Sequence, residues 1–290
     1  MTILLILVLI SVAFLTLLER KLLGMIQLRK GPSKVGIYGI FQPFADAMKL
    51  FSKNTDSLMK SKNLFFFLSP LLFRYLSLLF FMFKLFIFGE IYSMSMMMIL
   101  FLFSLSVYPS LMSGWSSNSK YSLIGGMRSI VQSLSYEITL SLIMFYFCIL
   151  FSSVTITKFY KLNKLFFSLS ITFVFFILLL MNLLIENSRS PFDLSEGESE
   201  LVSGFNVEYG GLEFSLIFLG ENSMVVFSAL LLASISTSSF MSLSALLILL
   251  TIIVLRGSFP RFRINELLNL CWMIFIPFTL FCLIVMWVLI

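Results

Sequence analysis

The sequence predicts an all-α fold, a polytopic membrane helical bundle in one domain covering residues 1–290. We expect about eight transmembrane helices and one interfacial amphipathic helix. The mean hydropathy is +1.04, 59% of the residues are hydrophobic and only 12% are charged, which lies far outside the range of soluble globular domains. Apolar runs too long for ordinary core helices recur along the whole chain. An α-helix satisfies its backbone hydrogen bonds within one segment, as a bilayer requires, so these runs predict transmembrane helices.

The first predicted span runs from about Thr2 to Leu18 and leads into a polar connection that covers residues 19–63. The dipeptide Gly31-Pro32 indicates a turn there, and Pro43 suits the first turn of a short helix. That helix is amphipathic, because side chains three and four residues apart share a face. We therefore expect it to lie in the membrane interface. Its apolar side carries Phe44, Met48 and Phe51, and its polar side carries Asp46, Lys49 and Lys53.

A simpler interpretation of this connection is a basic anchor that rests on lipid headgroups. It accounts less well for Asp46, or for Arg20 and Arg29, which lie close to the membrane edge with carboxylates nearby. The lysines that it does explain are Lys53, Lys60 and Lys62.

Two further spans are predicted between Leu64 and Met112, with a break near Gly89-Glu90. A loop is predicted from Ser113 to Met127, and the fourth span from near Arg128 to near Phe151.

The fourth span carries a polar stripe, because polar residues recur in it every four positions. Its acid, Glu137, lies within the hydrocarbon depth, where an ionised carboxylate is costly unless it is paired, hydrated or protonated. A structural ion pair is the simpler interpretation. We favour proton handling, because no cation shares the stripe beyond Arg128 at its end. The stripe consists of Ser129, Ser133, Glu137 and Ser141, with Gln132 and Tyr136 beside it.

The fifth predicted span ends at Glu186 and the sixth runs from about Phe214 to Ser236, with Glu221 in its first turns. The seventh covers Met241 to Leu255 and the eighth covers Cys271 to Ile290. Of the 20 Lys and Arg residues, fifteen fall in the connections after spans one, three, five and seven, and three fall in the other connections. By the positive-inside rule, the rich side faces the cytoplasm or the mitochondrial matrix.

The connection from residue 186 to residue 213 holds half of the 14 acids and a single cation, Arg189. So many carboxylates beside the low-dielectric interior of a membrane are difficult to keep ionised at the same time, because their charges repel one another and are poorly solvated. A solvated acidic loop is the simpler interpretation, but the apolar side chains between the charges require burial against protein. We favour an ordered, partly buried segment that takes up and passes on protons. The acids are Glu186, Asp193, Glu196, Glu198, Glu200, Glu208 and Glu213, and the apolar residues are Phe192, Leu194, Leu201, Val202, Phe205 and Val207.

Several kinds of chemistry are excluded by composition. The three cysteines lack CxxC spacing and there is no histidine, so the chain alone provides no ligands for an iron–sulfur cluster or an imidazole-bound haem. Neither GxGxxG nor GxxxxGK occurs, so nothing suggests that a dinucleotide or a nucleoside triphosphate binds. We expect no metal site, no NADH site, no redox centre and no nucleic-acid partner.

The polar regions 19–53, 186–213 and 256–263 are predicted to gather on one membrane face. A cavity with a charged mouth and an apolar lining suits a ligand with a polar head and a long hydrocarbon tail.

Three stretches carry a resemblance to a known family: Glu19 to Asn54, Glu186 to Tyr209, and RGSFPRFRINELLNLCW from Arg256 to Trp272. In this order they resemble the subunit 1 family of respiratory complex I, the proton-pumping NADH:ubiquinone oxidoreductase, which includes the bacterial H subunits. The resemblance covers essentially the whole chain. It implies a subunit that forms much of the ubiquinone access tunnel in the mitochondrial inner membrane, or in the plasma membrane of a bacterium.

The resemblance also implies roles for residues and partners. FMN, the iron–sulfur clusters and the NADH site would belong to partner subunits, and the expected contacts are the peripheral quinone-module subunits, small membrane subunits and lipids. Positions along the quinone tunnel would be Arg20, Arg29, Asp46, Lys49, Arg189, Phe205 and Arg256. Acids that link it to proton translocation would be Glu137, Glu186, Asp193, Glu196, Glu198, Glu200, Glu208 and Glu221.

Two other functions fit parts of the pattern. A secondary cation/proton antiporter would also use acids at membrane depth, but it predicts paired repeats with broken helices, and no convincing repeat is found. A purely structural anchor for a peripheral redox arm would not require Glu137 and Glu221 in the membrane.

Overall fold

A computed structural model describes residues 2–53, 63–88, 94–155, 170–195, 197, 201, 204–236 and 241–289. The described residues form helices and connecting segments without a strand, so the predicted all-α class is confirmed. The helices are α1 (Thr2–Ile26), α2 (Gln42–Phe51), α3 (Asn63–Phe88), α4 (Ser95–Ser116), α5 (Lys120–Leu150), α6 (Ser170–Glu186), α7 (Gly211–Ser236), α8 (Met241–Ser258), α9 (Ile264–Asn269) and α10 (Ile276–Leu289). A π-helical turn, Leu270–Phe275, joins α9 to α10.

Six apolar stretches in the described part of the chain are long enough to cross a membrane. They lie in α3, α4, α5, α7, α8 and the rod from α9 to α10. The other two predicted spans are also helices. The described apolar part of α6, Thr172–Glu186, is shorter, and α1 carries Glu19, Arg20 and Lys21 in its second half. Within the described part of the chain, six of the eight predicted spans therefore meet the length and composition of a full span.

Three predicted boundaries are wrong. The loop from Ser113 to Met127 is almost entirely helical, because α4 continues to Ser116 and α5 begins at Lys120, not near Arg128. The last rod begins at Ile264, seven residues before the predicted Cys271. The first helix continues past Leu18 to Ile26. The short helix with Pro43 in its first turn is confirmed as α2.

The hairpin of α4 and α5 is closely packed because two glycines meet where the helices cross. A Cβ placed on Gly114 would lie 3.1 Å from Cα of Gly126 and 2.8 Å from the carbonyl oxygen of Ser122. Small residues allow helix backbones to approach this closely. The glycines that give residues 113–127 the composition of a loop are thus required for helix packing.

The buried core lies among α3, α4, α5, α6 and α7, with further buried residues from α1, α8 and α9. Phe80 of α3 packs on Phe103 of α4 and Phe227 of α7, with ring centroids 4.9 and 4.6 Å apart. Tyr146 of α5 stacks on Phe175 of α6 at 3.6 Å. These aromatic contacts join α3 to α4 and α7, and α5 to α6.

Candidate functional site

A cavity with about 780 Å³ of empty space, part of it open to the surroundings, lies among α3, α4, α5, α7 and the connection that follows α6. Its wall combines hydroxyl groups, two carboxylates, one guanidinium and apolar side chains. It is lined by Phe73, Leu76, Ser106, Val107, Pro109, Ser110, Ser129, Ser133, Glu186, Asn187, Ser188, Arg189, Ser195, Phe205, Glu221 and Met224.

Four of the residues predicted from sequence meet at this cavity. Glu186 is the last residue of α6, Arg189 follows it within one turn, Phe205 lies in the 3-10 turn Gly204–Asn206, and Glu221 lies in α7. Two predicted tunnel residues and two predicted proton-coupling residues therefore share one wall. Ser129 and Ser133 of the predicted polar stripe line the same space.

The Glu186 carboxylate accepts a hydrogen bond from Ser106 Oγ, with 3.2 Å between the oxygens. Ser106 has a second acceptor, the carbonyl oxygen of Phe103, at 2.6 Å. A hydroxyl has one hydrogen, so the two acceptors compete for it. The carboxylate of Glu137 is close enough to interact electrostatically with Glu186, although Glu137 is outside the cavity lining.

Arg189 is held against α7 by a side chain with a fixed orientation. Its Nη2 donates to Asn222 Oδ1 at 2.7 Å, while Asn222 Nδ2 donates to the carbonyl oxygen of Phe218 at 2.8 Å. Asn222 is fully buried, so its amide cannot turn without breaking both bonds. The Arg189 guanidinium is therefore held at one position in the cavity wall by Asn222. On the residue before Asn222, Glu221 Oε1 accepts a hydrogen bond from Asn206 Nδ2 at 3.5 Å.

Phe205 reaches the cavity because its backbone lies directly on α5. A Cβ placed on Gly125 would lie 2.8 Å from the backbone nitrogen of Phe205 and 2.9 Å from Gly204. The Phe205 ring stacks on Phe73 of α3 at 5.9 Å. Gly204 has φ +56°, a backbone conformation that favours glycine.

The turn after α6 is closed by contacts to two other parts of the chain. Gln132 Nε2 of α5 donates to the carbonyl oxygens of Ile185 and Phe192, at 2.8 and 3.0 Å. The Phe262 amide donates to the carbonyl oxygen of Pro191 at 3.0 Å, and its ring stacks on Phe192. Residues 191–195 are buried, so the alternative of a solvated loop does not hold for this part of the acidic segment.

Ion pairs join the polar regions that were predicted to gather. Asp193 pairs with Arg261 at 3.7 Å, and Arg256 Nη1 lies 3.2 Å from Glu19 Oε2. The end of α8 thus contacts α1, and the connection that follows α8 contacts the acidic segment. Arg20 of α1 pairs with Asp46 of α2, so α2 is tied to the same surface.

The remaining predicted residues are not brought into the cavity. Arg20, Asp46 and Arg256 are used in the ion pairs above, and Arg29 and Lys49 are exposed. Asp193 and Glu208 lie outside the lining, with Glu208 half-buried. The predicted tunnel residues therefore form two groups, one on α1, α2, α8 and the connection after α1, and one at the cavity. Three predicted acids lie outside the described residues: Glu196, Glu198 and Glu200.

Tyr209 closes the far end of the acidic segment. Its hydroxyl lies 2.9 Å from Ser69 Oγ and 3.2 Å from Ser116 Oγ, and its ring stacks on Phe66 at 4.3 Å. Burial raises the pKa of the Tyr209 phenol, against the opposing effect of the two serine hydroxyls. The phenol therefore stays neutral and ties the segment to α3 and α4.

Sequence reasoning missed the contribution of α4 and the role of Gln132. Ser106 and Ser110 lie in an apolar run that also contains Pro109, and a serine in such a helix usually bonds its own backbone. The cluster SLSVYPS was the available signal. Within the described part of the chain, no group of three or more Cys, Asp or Glu side chains is placed to hold a metal ion.

Comparisons with known proteins agree with one another. The family model described as NADH dehydrogenase matches residues 1–287. The chain is similar to NADH-ubiquinone oxidoreductase chain 1 of Aedes aegypti, with 42% identity over 280 residues, covering 94% of this chain and 89% of the relative. The protein of the same name from Anopheles gambiae is 43% identical over 287 residues, with the same coverage. That from Artemia franciscana is 41% identical over 288 residues, covering 97% of this chain and 95% of the relative.

Proposed function

The chain belongs to the NADH dehydrogenase family, and from this membership we propose that its serine-lined cavity couples quinone reduction to proton movement. Its relatives are chain 1 of NADH-ubiquinone oxidoreductase, so the chain is a membrane-arm subunit of this proton-pumping oxidoreductase. It is a multi-pass protein of the mitochondrial inner membrane, and its partners are the other subunits of complex I.

The proposed substrate is ubiquinone, which combines a polar head with a long hydrocarbon tail. Its reduction consumes two electrons and two protons. In this proposal the electrons arrive through FMN and iron–sulfur clusters of partner subunits, and the residues of this chain guide the quinone and move protons. The cavity supports this role because Phe73, Leu76 and Phe205 offer apolar surface beside Glu186 and Arg189.

The single observation that carries the proposal is the meeting of Glu186, Arg189 and Glu221 in one cavity. Two carboxylates of one cavity that also contains a fixed cation cannot titrate independently of the charge around them. When quinone reduction draws protons nearby, the proton affinity of both acids changes. The serine hydroxyls can hold water between the acids, since each lines the same space.

The other predicted residues have proposed roles around this cavity. Arg20, Arg29, Asp46, Lys49 and Arg256 would form the outer part of the quinone path on the surface of α1, α2 and α8. Proton transfer into the membrane would continue from Glu186 to Glu137. The acids Asp193, Glu196, Glu198, Glu200 and Glu208 would supply protons from the side of the peripheral arm.

Neutral amides at the two cavity acids test this proposal in the assembled complex. We expect Glu186→Gln and Glu221→Gln each to lower quinone reductase activity or proton pumping, by about a hundredfold where the acid transfers the proton itself. NADH oxidation by an artificial acceptor that bypasses quinone should stay normal. Glu266→Gln is the matched control, because Glu266 is an exposed acid that caps α9. Normal coupled rates in both cavity variants would contradict the proposal and favour a structural anchor.

A further inference from the structure

Gln132 of α5 closes the turn after α6 with a single amide group. Its side chain is only 3% exposed, and both hydrogens of Nε2 are used. One is donated to the carbonyl oxygen of Ile185 at 2.8 Å and the other to that of Phe192 at 3.0 Å. The two acceptors lie immediately before Glu186 and immediately after Pro191. One side chain of α5 therefore fixes both ends of the turn.

The orientation of this amide follows from its acceptors. A flipped amide would place Oε1 against two carbonyl oxygens, which have no hydrogen to donate. The observed orientation leaves Oε1 buried with no hydrogen-bond partner in the described part of the chain. An unpaired buried acceptor is unfavourable, so the two donated bonds must outweigh it for this arrangement to persist.

The turn that Gln132 closes carries the charged groups of the cavity. Its internal backbone bonds run from the amide of Ser188 to Ile185 at 3.1 Å and from the amide of Phe192 to Arg189 at 2.8 Å. The acceptors of Gln132 are thus part of the same short hydrogen-bonded unit. Glu186 and Arg189 project from this unit into the cavity.

We propose that Gln132 is a positioning residue for proton coupling, which holds Glu186 and Arg189 at their places in the cavity by fixing the turn to α5. The inference rests on the proposed function of the cavity. It assigns to α5 a second role besides lining the cavity with serines. Because both ends of the turn are hydrogen-bonded to one side chain of α5, the turn moves with that helix.

The variant Gln132→Met tests this role, since methionine has nearly the same length and lacks the two donors. The matched control is Asn182→Leu. Asn182 is a fully buried amide that also joins α5 and α6, donating from Nδ2 to Thr139 Oγ1 at 2.8 Å, and this bond does not involve the turn. Both variants remove a buried amide between the same two helices. Only Gln132→Met removes hydrogen bonds to the turn.

Two measurements on the intact complex distinguish positioning from general stability. In hydrogen exchange, the amides of residues 187–190 and of Phe192 should exchange about tenfold faster in Gln132→Met, the change expected when a net hydrogen-bond contribution of roughly 1.4 kcal/mol is lost. They should be unchanged in Asn182→Leu. The number of protons pumped per electron should fall in Gln132→Met and stay normal in Asn182→Leu.

Glu186→Gln separates failure of this inference from failure of the proposed function. If Glu186→Gln uncouples the complex while Gln132→Met pumps normally with unchanged exchange, the positioning role is wrong and the cavity keeps its function. If Asn182→Leu reproduces both effects of Gln132→Met, the role of Gln132 is general packing and the inference is also wrong. If Glu186→Gln and Glu221→Gln both pump normally, the proposed function fails, and the coupling role of Gln132 fails with it.

Discussion

Arg256 and Glu19 are 237 residues apart in the chain, yet Arg256 Nη1 lies 3.2 Å from Glu19 Oε2. The pair joins α8 to α1, and its side chains are 33% and 11% exposed. An exposed ion pair contributes roughly 0–1 kcal/mol of stability, and the loss of one partner of a buried pair costs about 3–5 kcal/mol. Because this pair is partly buried, its contribution should fall between these two values.

Arg256→Met should destabilise the contact between α1 and α8 by about 2 kcal/mol, a value between those for exposed and buried pairs. The expected result is a lower midpoint for heat inactivation of the assembled complex. Arg263→Met is the control, because it removes the same charge from an exposed position in the connection that follows α8. Equal midpoints for the two variants would show that the ion pair adds no stability.

Gly125→Ala should disrupt the cavity without touching an acid. The added methyl group would lie 2.8 Å from the backbone nitrogen of Phe205 and 2.9 Å from Gly204, and a backbone cannot rotate away as a side chain can. We expect a cost of about 1–3 kcal/mol and a displaced Phe205, seen as a lower quinone reductase rate. Gly210→Ala is the control, since a methyl group added there would meet no atom within 4 Å. A normal rate in Gly125→Ala would mean that this turn shifts freely.

Phe205→Leu should change quinone affinity more than turnover. The ring is 4% exposed, stacks on Phe73 and lines the cavity, so a smaller apolar side chain removes contact surface without adding a polar group. The apparent KM for quinone should rise by several-fold, for a loss of about 1 kcal/mol of contact. Steady-state kinetics over a range of quinone concentrations measure it, with an artificial acceptor as the control reaction. A fall in kcat at constant KM would instead assign Phe205 to a later step.

Tyr209→Phe should loosen the end of the acidic segment. The variant keeps the ring that stacks on Phe66 but removes the hydroxyl shared by Ser69 and Ser116. Losing these bonds should cost about 1–2 kcal/mol. Hydrogen exchange of residues 204–210 in the complex should then be faster, with Tyr121→Phe as the control because Tyr121 is exposed. Unchanged exchange would show that ring stacking alone holds the segment.

The sequence predicted the helices well because their signal is local. Long apolar runs define the rods, and Pro43 marks the first turn of α2. The error at residues 113–127 has a tertiary cause. Serine and glycine there have low helix propensity, but Gly114 and Gly126 are needed where α4 crosses α5, and packing overrides propensity.

The site was predictable in part for a similar reason. Glu186, Arg189 and Glu221 are conspicuous as charges beside or within apolar runs, and the structure brings them together. The contacts that arrange them have no local signature. Gln132 donates to carbonyl oxygens more than 50 residues away, and the contact of Ser106 with Glu186 depends on how α4 lies beside the end of α6.

The length of α5 has a mechanical consequence. Its 31 residues form a rod of about 46 Å at 1.5 Å per residue, whereas the hydrocarbon core of a bilayer is roughly 30 Å thick. Such a rod must tilt or protrude. If α5 changed its tilt slightly about the glycine crossing with α4, the end near Leu150 would move sideways by more than Gln132, because Leu150 lies farther from that crossing. The helix would then act as a lever with unequal arms.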